Sequence, residues 1–230
     1  KVVSQPFNVL LDRDRFLPYE KYLNDKESKN HTCIKPVFSP EVRHVFDSIN
    51  KTVKKQKWYE EEKVYEKDST KSRSHISITP ILIIGEGIDF DLKEDEVNYA
   101  GGAALRANYN PKFAMNVNFV SGFSSFPSYV DSVVKQNNVY PGWGRVYYKE
   151  NGLHSWQYYS GYCSFSPNKV FNFQIGHDKQ FWGDGYRSLF LSDNAAPYSF
   201  LKITTTVWKL KYVSMYAMMT DATHPSNTKN

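Results

Sequence analysis

The side chains best suited to catalysis are one histidine and three aspartates that occur close together in the last third of the chain: His177, Asp178, Asp184 and Asp193. A glycosidase needs two carboxyl groups at a set separation, one acting as acid and the other as base or nucleophile. Asp193 precedes Asn194, and this pair is better explained as a turn or an Asx cap. No Gly-x-Ser-x-Gly elbow and no phosphate-binding glycine loop accompanies them. We therefore predict no catalytic residue, no metal and no cofactor.

The same segment has the residue types of a sugar-binding site. Trp182 and Tyr186 have rings that can stack on sugar rings, and the charged side chains around them can form hydrogen bonds with sugar hydroxyls. The candidate glycan contacts are Asp178, Trp182, Asp184, Tyr186 and Arg187.

A structural role explains the segment equally well. Gly183 and Gly185 permit the positive φ angles and the close approach of a tight chain crossing, and the aromatic rings would then fill a wall. Asn194 and Pro197 belong to this motif as turn residues before the next strand. The sequence leaves both alternatives open.

The order of elements around this motif is distinctive. An alternating strand stops at Gly176, and a glycine- and aromatic-rich crossing follows. Next come the runs Trp182-Gly-Asp-Gly, Leu189-Phe-Leu-Ser and Asn194-Ala-Ala-Pro, and a new strand starts at Phe200. Over about 30 residues this order resembles the signature of the outer-membrane capsule assembly (Wzi) family and its gliding-motility (RemB-like) relatives, with the gliding branch the more similar.

The resemblance implies an outer-membrane β-barrel without enzymatic activity. Capsule-assembly relatives bind exported polysaccharide at the cell surface, and gliding-motility relatives work in surface adhesion and secretion assemblies. The expected partners are therefore membrane lipid together with a surface polysaccharide or the protein subunits of a gliding or secretion complex. Barrels of this family are longer than the strand-forming part of this chain, so the chain is expected to hold the whole of a small barrel or the N-terminal part of a larger one.

Composition limits the other function classes. The net charge of +5 is modest and its cations are interleaved with acids, so no nucleic-acid partner is expected. The chain contains no run of 18 apolar residues, so the sequence does not predict a transmembrane helix. Cys33 and Cys163 have no metal-binding spacing, and they could form one long-range disulfide or remain as two free thiols.

The density of charged residues along the chain falls near residue 74. Residues 41–73 contain 16 charged residues, whereas residues 98–130, a stretch of the same length, contain two. A helix start at Ser39-Pro40-Glu41 precedes an apolar stripe that includes Phe46 and Ile49. We predict a helical and loop periplasmic segment over residues 1–73 that docks through Phe46 and Ile49, followed by antiparallel barrel strands over residues 74–230.

Alternating apolar and polar residues predict about eight antiparallel strands after residue 74. The alternative to a membrane barrel is a soluble, secreted carbohydrate-binding β-sandwich. The polar face favours the barrel, because it is made of Asn, Ser, Thr, Gln and Gly rather than the Lys and Glu that a water-facing sheet usually shows. Five aromatic residues near one hairpin are expected to form part of an interfacial girdle: Tyr147, Tyr148, Trp156, Tyr158 and Tyr159.

Overall fold

The computed structural model describes residues 8, 31, 33–38, 74–89, 94–109, 112–148, 152–183, 185 and 188–220. The predicted docking residues Phe46 and Ile49 lie outside these residues, as do the candidate glycan contacts Asp184, Tyr186 and Arg187. The strands are β1 (Ile34–Lys35), β2 (His75–Asp89), β3 (Glu94–Tyr109), β4 (Phe113–Ser124), β5 (Val139–Tyr140), β6 (Gly144–Tyr148), β7 (His154–Phe165), β8 (Phe171–Asp178), β9 (Phe181–Trp182), β10 (Tyr198–Val207) and β11 (Leu210–Met218). The helix is α1 (Ser128–Asn137).

Seven long strands form one antiparallel sheet in the order β11-β10-β8-β7-β4-β3-β2. The short strand β6 pairs with the start of β7, beyond the end of β8. The prediction of an all-β, antiparallel fold is confirmed. Among the described residues, no helix is long and apolar enough to span a membrane.

The register places the large exposed apolar residues of these strands on one face, whereas buried ones such as Val120 and Trp156 lie on the opposite side. Leu105 pairs with Val117, which pairs with Gly161, and directly paired residues project to the same side of a sheet. We call this side the outer face. Its large side chains are exposed, and they include Ile78, Leu82, Tyr99, Val117, Phe119, Phe123, Tyr159, Phe173, Ile175, Leu201, Tyr212, Tyr216 and Met218.

The opposite side, which we call the inner face, is largely buried and contains many polar residues among its apolar ones. Its buried polar residues are Asn108, Asn116, Ser124, His154, Ser160, Ser164, Asn172, Gln174 and Lys202. Their side chains form hydrogen bonds with one another, as Asn172 Nδ2 does when it donates to Ser164 Oγ at 2.9 Å. Burial is thus opposite to that of a sheet packed on an apolar core, because the polar side is covered and the apolar side is open.

Three inner-face glycines lie very close to the neighbouring strands. At Gly102, Gly122 and Gly176, a Cβ atom would overlap the backbone of the neighbouring strand. All three glycines occupy inner-face positions of the register. Glycine at such positions permits the close strand approach of a strongly curved sheet.

The two ends of the sheet differ in their connections. At one end, the strands are joined by short links: residues 110–112, 166–170 and 208–209. We call this the short-turn end. At the other end, residues 90–93 join β2 to β3, the chain passes through α1, β5 and β6 between β4 and β7, and residues 179–197 join β8 to β10. We call this the long-connection end.

Helix α1 and its following strands cover part of the inner face at the long-connection end. Val134 of α1 and Val146 of β6 pack with Ala100, Val120 and Trp156 of the sheet. Trp156 and Tyr158 therefore face inward, and their predicted place in an interfacial girdle is wrong. Tyr147 and Tyr159 are exposed as that prediction required.

Candidate functional site in the inserted loop

The loop of residues 179–197 turns back over the inner face instead of projecting away from the sheet. Directly after β8, Lys202 Nζ of the inner face donates to Gln180 Oε1 at 2.8 Å. The next two residues, Phe181 and Trp182, form β9 and pair with Lys35 and Ile34 of β1. The loop is thus bound both to the wall of the sheet and to the N-terminal part of the chain.

Backbone hydrogen bonds fix Trp182 near the start of this loop. Its N–H donates to the Leu191 carbonyl at 2.9 Å, and the N–H of Gly183 donates to the Cys33 carbonyl at 2.7 Å. The Ser188 hydroxyl donates to the Trp182 carbonyl and accepts hydrogen bonds from the N–H groups of residues 190 and 191. A single serine therefore ties the start of the loop to its middle.

Gly183 has a conformation that a side chain would disturb. Its φ is +154°, and a Cβ atom there would lie 2.8 Å from Ser188 Oγ. The structural role predicted for this glycine agrees with that geometry. Gly185 is an exposed bend residue, Asn194 lies in the turn after Ser192, and Pro197 directly precedes β10.

Among the described residues of the loop, two side-chain hydrogen-bond donors are buried without a partner. They are the Trp182 indole Nε1 and the Gln180 amide Nε2, and the Gln180 side chain is fully buried. Leaving a buried donor unsatisfied costs about 1–3 kcal/mol. These donors could bind a hydroxyl or carboxylate oxygen, but such an atom would reach them only if the loop moved.

The predicted contact Asp178 is engaged by the loop itself. Its Oδ1 accepts the backbone N–H of Lys179 at 2.8 Å. Lys179 Nζ in turn donates to the Gly142 carbonyl and lies 5.9 Å from the ring centre of Tyr158. Burial lowers the pKa of Lys179, and the carboxylates of Asp193 and Asp178 offset part of that effect. Of the five candidate glycan contacts, the structure therefore places Asp178 and Trp182, both largely enclosed.

The N-terminal part of the chain also lies on the inner face. The backbone N–H of Asn8 donates to the Tyr162 hydroxyl at 2.8 Å. Gln174 Nε2 donates to Asn8 Oδ1 at 2.9 Å, and Asn8 Nδ2 donates back to Gln174 Oε1 at 3.3 Å. Sequence patterns placed Gln174 on the polar face, but no local signal identified Asn8 as its partner 166 residues away.

A second polar contact holds α1 against the sheet. His154 Nε2 lies 2.8 Å from Asp131 Oδ1, and Lys135 Nζ lies 2.6 Å from Asp131 Oδ2. Burial by itself raises the pKa of Asp131, but the hydrogen bonds from Lys135 and His154 outweigh it, so this pKa lies below its ordinary value of 3.8. His154 is thus a buried residue held against α1, and Asp131 carried no sequence signal.

The described side chains of this site contribute hydrogen bonds and packing contacts. Within the described part of the chain, no three His, Cys, Asp or Glu side chains are grouped so that they could hold a metal ion. Cys33 and Cys163 are both free thiols, so of the two alternatives the structure has the unpaired one. Comparison with family models, with curated proteins and with solved structures found no match for this chain.

Proposed function

We propose that this chain is embedded in the outer membrane as a β-barrel wall, and that it acts without catalysis in attaching surface polysaccharide or in a surface adhesion or secretion assembly. The observation that carries the membrane part is the inverted polarity of the sheet. An apolar face without a protein cover is stable in lipid, whereas in water it would promote association.

The composition of the outer face supports burial in lipid. No outward-facing position of β4, β7, β10 or β11 carries Lys, Arg, Asp or Glu. A charged side chain at the middle of a lipid-facing barrel strand costs about 2–4 kcal/mol. Water-facing sheets use such charges freely, so their absence from these four strands favours an apolar solvent.

Aromatic side chains at both ends of the outer face support the same location. Tyr109, Phe165 and Phe171 are exposed near the short-turn end, and Tyr99 and Phe123 are exposed near the long-connection end. Aromatic girdles flank the apolar band of outer-membrane barrels at their two interfaces. Such barrels also have short periplasmic turns and longer extracellular loops, which would direct the long-connection end outward.

The inner face has the properties of a filled barrel interior. Neutral polar side chains such as Asn172 and Gln174 line much of it, Asn8 and the inserted loop are hydrogen-bonded to it, and β1 pairs with the loop. A barrel lumen can be plugged by segments of the chain itself. In a soluble sandwich, the apolar face would instead lie against a second sheet, and no described residue covers it.

The polysaccharide part of the proposal rests on the resemblance of residues 174–203 and on the two unsatisfied donors of Gln180 and Trp182. A sugar oxygen is an acceptor of the kind that these groups lack. The packing of Trp182 between β1 and Leu191 supports a structural role at least as well. Trp182 is therefore the residue at which binding and structure should be tested separately.

Cell fractionation and detergent extraction test the membrane location. The folded protein should require detergent and should migrate differently on a gel before and after heating. A monodisperse, detergent-free monomer would contradict the proposal and favour the soluble carbohydrate-binding sandwich.

Trp182→Ala and Trp182→Phe test the polysaccharide role. If Trp182 only packs, Trp182→Ala should lose about 3–5 kcal/mol of stability, as buried Trp truncations do, and Trp182→Phe should retain most of it. If the indole N–H binds glycan, Trp182→Phe should fold normally and lose polysaccharide retention. A stable Trp182→Ala variant with normal retention would leave Trp182 without either role.

A further inference from the structure

The hairpin that joins β10 to β11 carries a highly exposed tryptophan at the short-turn end. Trp208 and Lys209 are its two loop residues, because Val207 pairs with Leu210. The Trp208 side chain is 83 % exposed, and the flanking Val207 and Leu210 are exposed on the outer face. Packing within the described part of the chain therefore gives no reason for a tryptophan at this tip.

The backbone at the tip is also unfavourable for tryptophan. Trp208 has a φ of +55°, in the left-handed region that a bulky side chain rarely adopts. Two-residue hairpin loops favour asparagine, aspartate or glycine at such positions. Lys209 Nζ lies 5.6 Å from the centre of the Trp208 ring, and His31 Nε2 lies 3.2 Å from the Lys209 carbonyl oxygen. The tip thus holds a ring and an ammonium group together on a turn that other residues would form more easily.

Each of the three links at the short-turn end carries one exposed lysine: Lys112, Lys169 and Lys209. The first two links are joined by the N–H of Ser166, which donates to the Lys112 carbonyl at 2.7 Å. Successive links are two strand spacings apart along the sheet, so their lysines are separated by roughly 10 Å. A single phosphate ion cannot contact all three lysines at that spacing, whereas a surface with many phosphates can.

Charge is divided unequally between the two ends of the sheet. Residues 105–116, 162–175 and 203–214, which include the three links, contain five lysine or arginine residues and no acidic residue. Residues 84–96, which include the link between β2 and β3 at the long-connection end, contain six acidic residues and one lysine. Charge complementarity therefore favours a negatively charged surface at the short-turn end.

We propose that the short-turn end binds the headgroups of anionic phospholipids, with the Trp208 ring at the membrane interface and the Lys169 and Lys209 ammonium groups on lipid phosphates. The proposal rests on the proposed membrane location. Tryptophan is enriched at membrane–water interfaces, where its ring meets apolar groups and its N–H meets polar ones. Each basic residue near an anionic membrane surface favours binding by about fivefold. These contacts offset the conformational cost of Trp208.

Urea unfolding of the full chain in phosphatidylcholine vesicles, with and without phosphatidylglycerol, tests the lysines. The stabilisation by phosphatidylglycerol should fall in the double variant Lys169→Gln, Lys209→Gln, by about fivefold in the unfolding equilibrium constant per lysine. Its stability in phosphatidylcholine alone should not change. Arg145→Gln is the matched control, because it removes an exposed cation of β6 near the long-connection end, and it should keep the full effect. Sodium phosphate should compete no better than sodium chloride of equal ionic strength.

Replacing Trp208 by glycine separates lipid contact from turn geometry. Glycine adopts a positive φ without steric cost, so Trp208→Gly should stabilise the protein if the ring contacts no lipid. We expect the opposite sign, a lower urea midpoint in vesicles of either composition. Trp208→Tyr should retain most of the stability, because tyrosine also favours the interface.

Each other outcome overturns a specific part. Equal stability of the unchanged protein in both kinds of vesicle would refute the headgroup preference. Equal losses in both for the lysine variant would show that the lysines stabilise the chain itself, and stronger competition by phosphate would assign them to a free phosphate ion. A more stable Trp208→Gly would refute the interfacial role of the ring. A monodisperse protein that folds without detergent or vesicles would refute the proposed membrane location itself.

Discussion

Asn116 and Val117 are consecutive residues of β4, and the polar one is buried: Asn116 is 4 % exposed and Val117 is 41 % exposed. Asn116 Oδ1 accepts a hydrogen bond from Arg106 Nε at 3.4 Å on the inner face, whereas Val117 projects from the outer face. In these two neighbouring residues the polar side chain is enclosed and the apolar side chain is exposed, and this is the observation on which the proposed lipid-facing sheet rests.

Replacing Val117 by lysine tests that argument. We expect Val117→Lys to destabilise the protein in lipid vesicles by about 2–4 kcal/mol, because the charge would enter hydrocarbon. Urea unfolding in vesicles measures the loss. Val117→Leu is the control for shape, and Gln157→Lys, nearer to the long-connection end of the same face, should cost about 0–1 kcal/mol. A neutral effect of Val117→Lys would show that this face meets water.

Replacing Lys202 by methionine should loosen the inserted loop. Lys202→Met removes the donor from Gln180 Oε1 and leaves that buried oxygen unsatisfied, which costs about 1–3 kcal/mol. Limited proteolysis within residues 179–197 should become faster. The double variant Lys202→Met with Gln180→Leu removes both partners and should recover part of the loss. If the two single effects simply add, the contact does not couple the loop to the sheet.

Gly183→Ala tests whether the glycine of the motif is structural. The added Cβ atom would approach Ser188 Oγ at a φ of +154°, and a strained residue of this kind costs about 1–3 kcal/mol. Gly101→Ala is the matched control, because nothing lies within 4 Å of a Cβ atom there. Thermal unfolding in detergent compares the two variants. Equal midpoints for both would remove the structural reason for a glycine at position 183.

Acid should weaken the attachment of α1. The pKa of Asp131 is lowered in the folded protein, so the stability it contributes is present above its ordinary value of 3.8 and is lost as pH falls below that value. Protease cleavage within α1 should therefore increase at acidic pH. In Asp131→Asn the cleavage rate should be higher at neutral pH and should change less on acidification. An unchanged pH profile in this variant would show that another group controls the attachment.

The strands and their two faces could be predicted from the sequence. Alternation with a period of two identified Ile76, Ile78, Leu82 and Ile84 as one face of a strand, because successive side chains of a strand project to opposite sides. The Asn, Ser, Thr and Gln residues between the apolar positions indicated that the second face is polar with few charges, and the charged side chains there include Arg106 and Lys202. Both properties are local, and the structure confirms them.

Which residues contact one another at the site is decided by the tertiary structure. Asn8 meets Gln174 and Tyr162, Gln180 meets Lys202, and Asp131 meets His154, yet none of these pairs is close enough in sequence for spacing to reveal it. Trp156 was also misassigned, because its face depends on the β4–β7 register and on α1, β5 and β6 folding over it. The sequence alone determined which residues alternate. Only the folded sheet decided that the polar side is enclosed and the apolar side is open, because burial depends on which distant segments come to lie against each face.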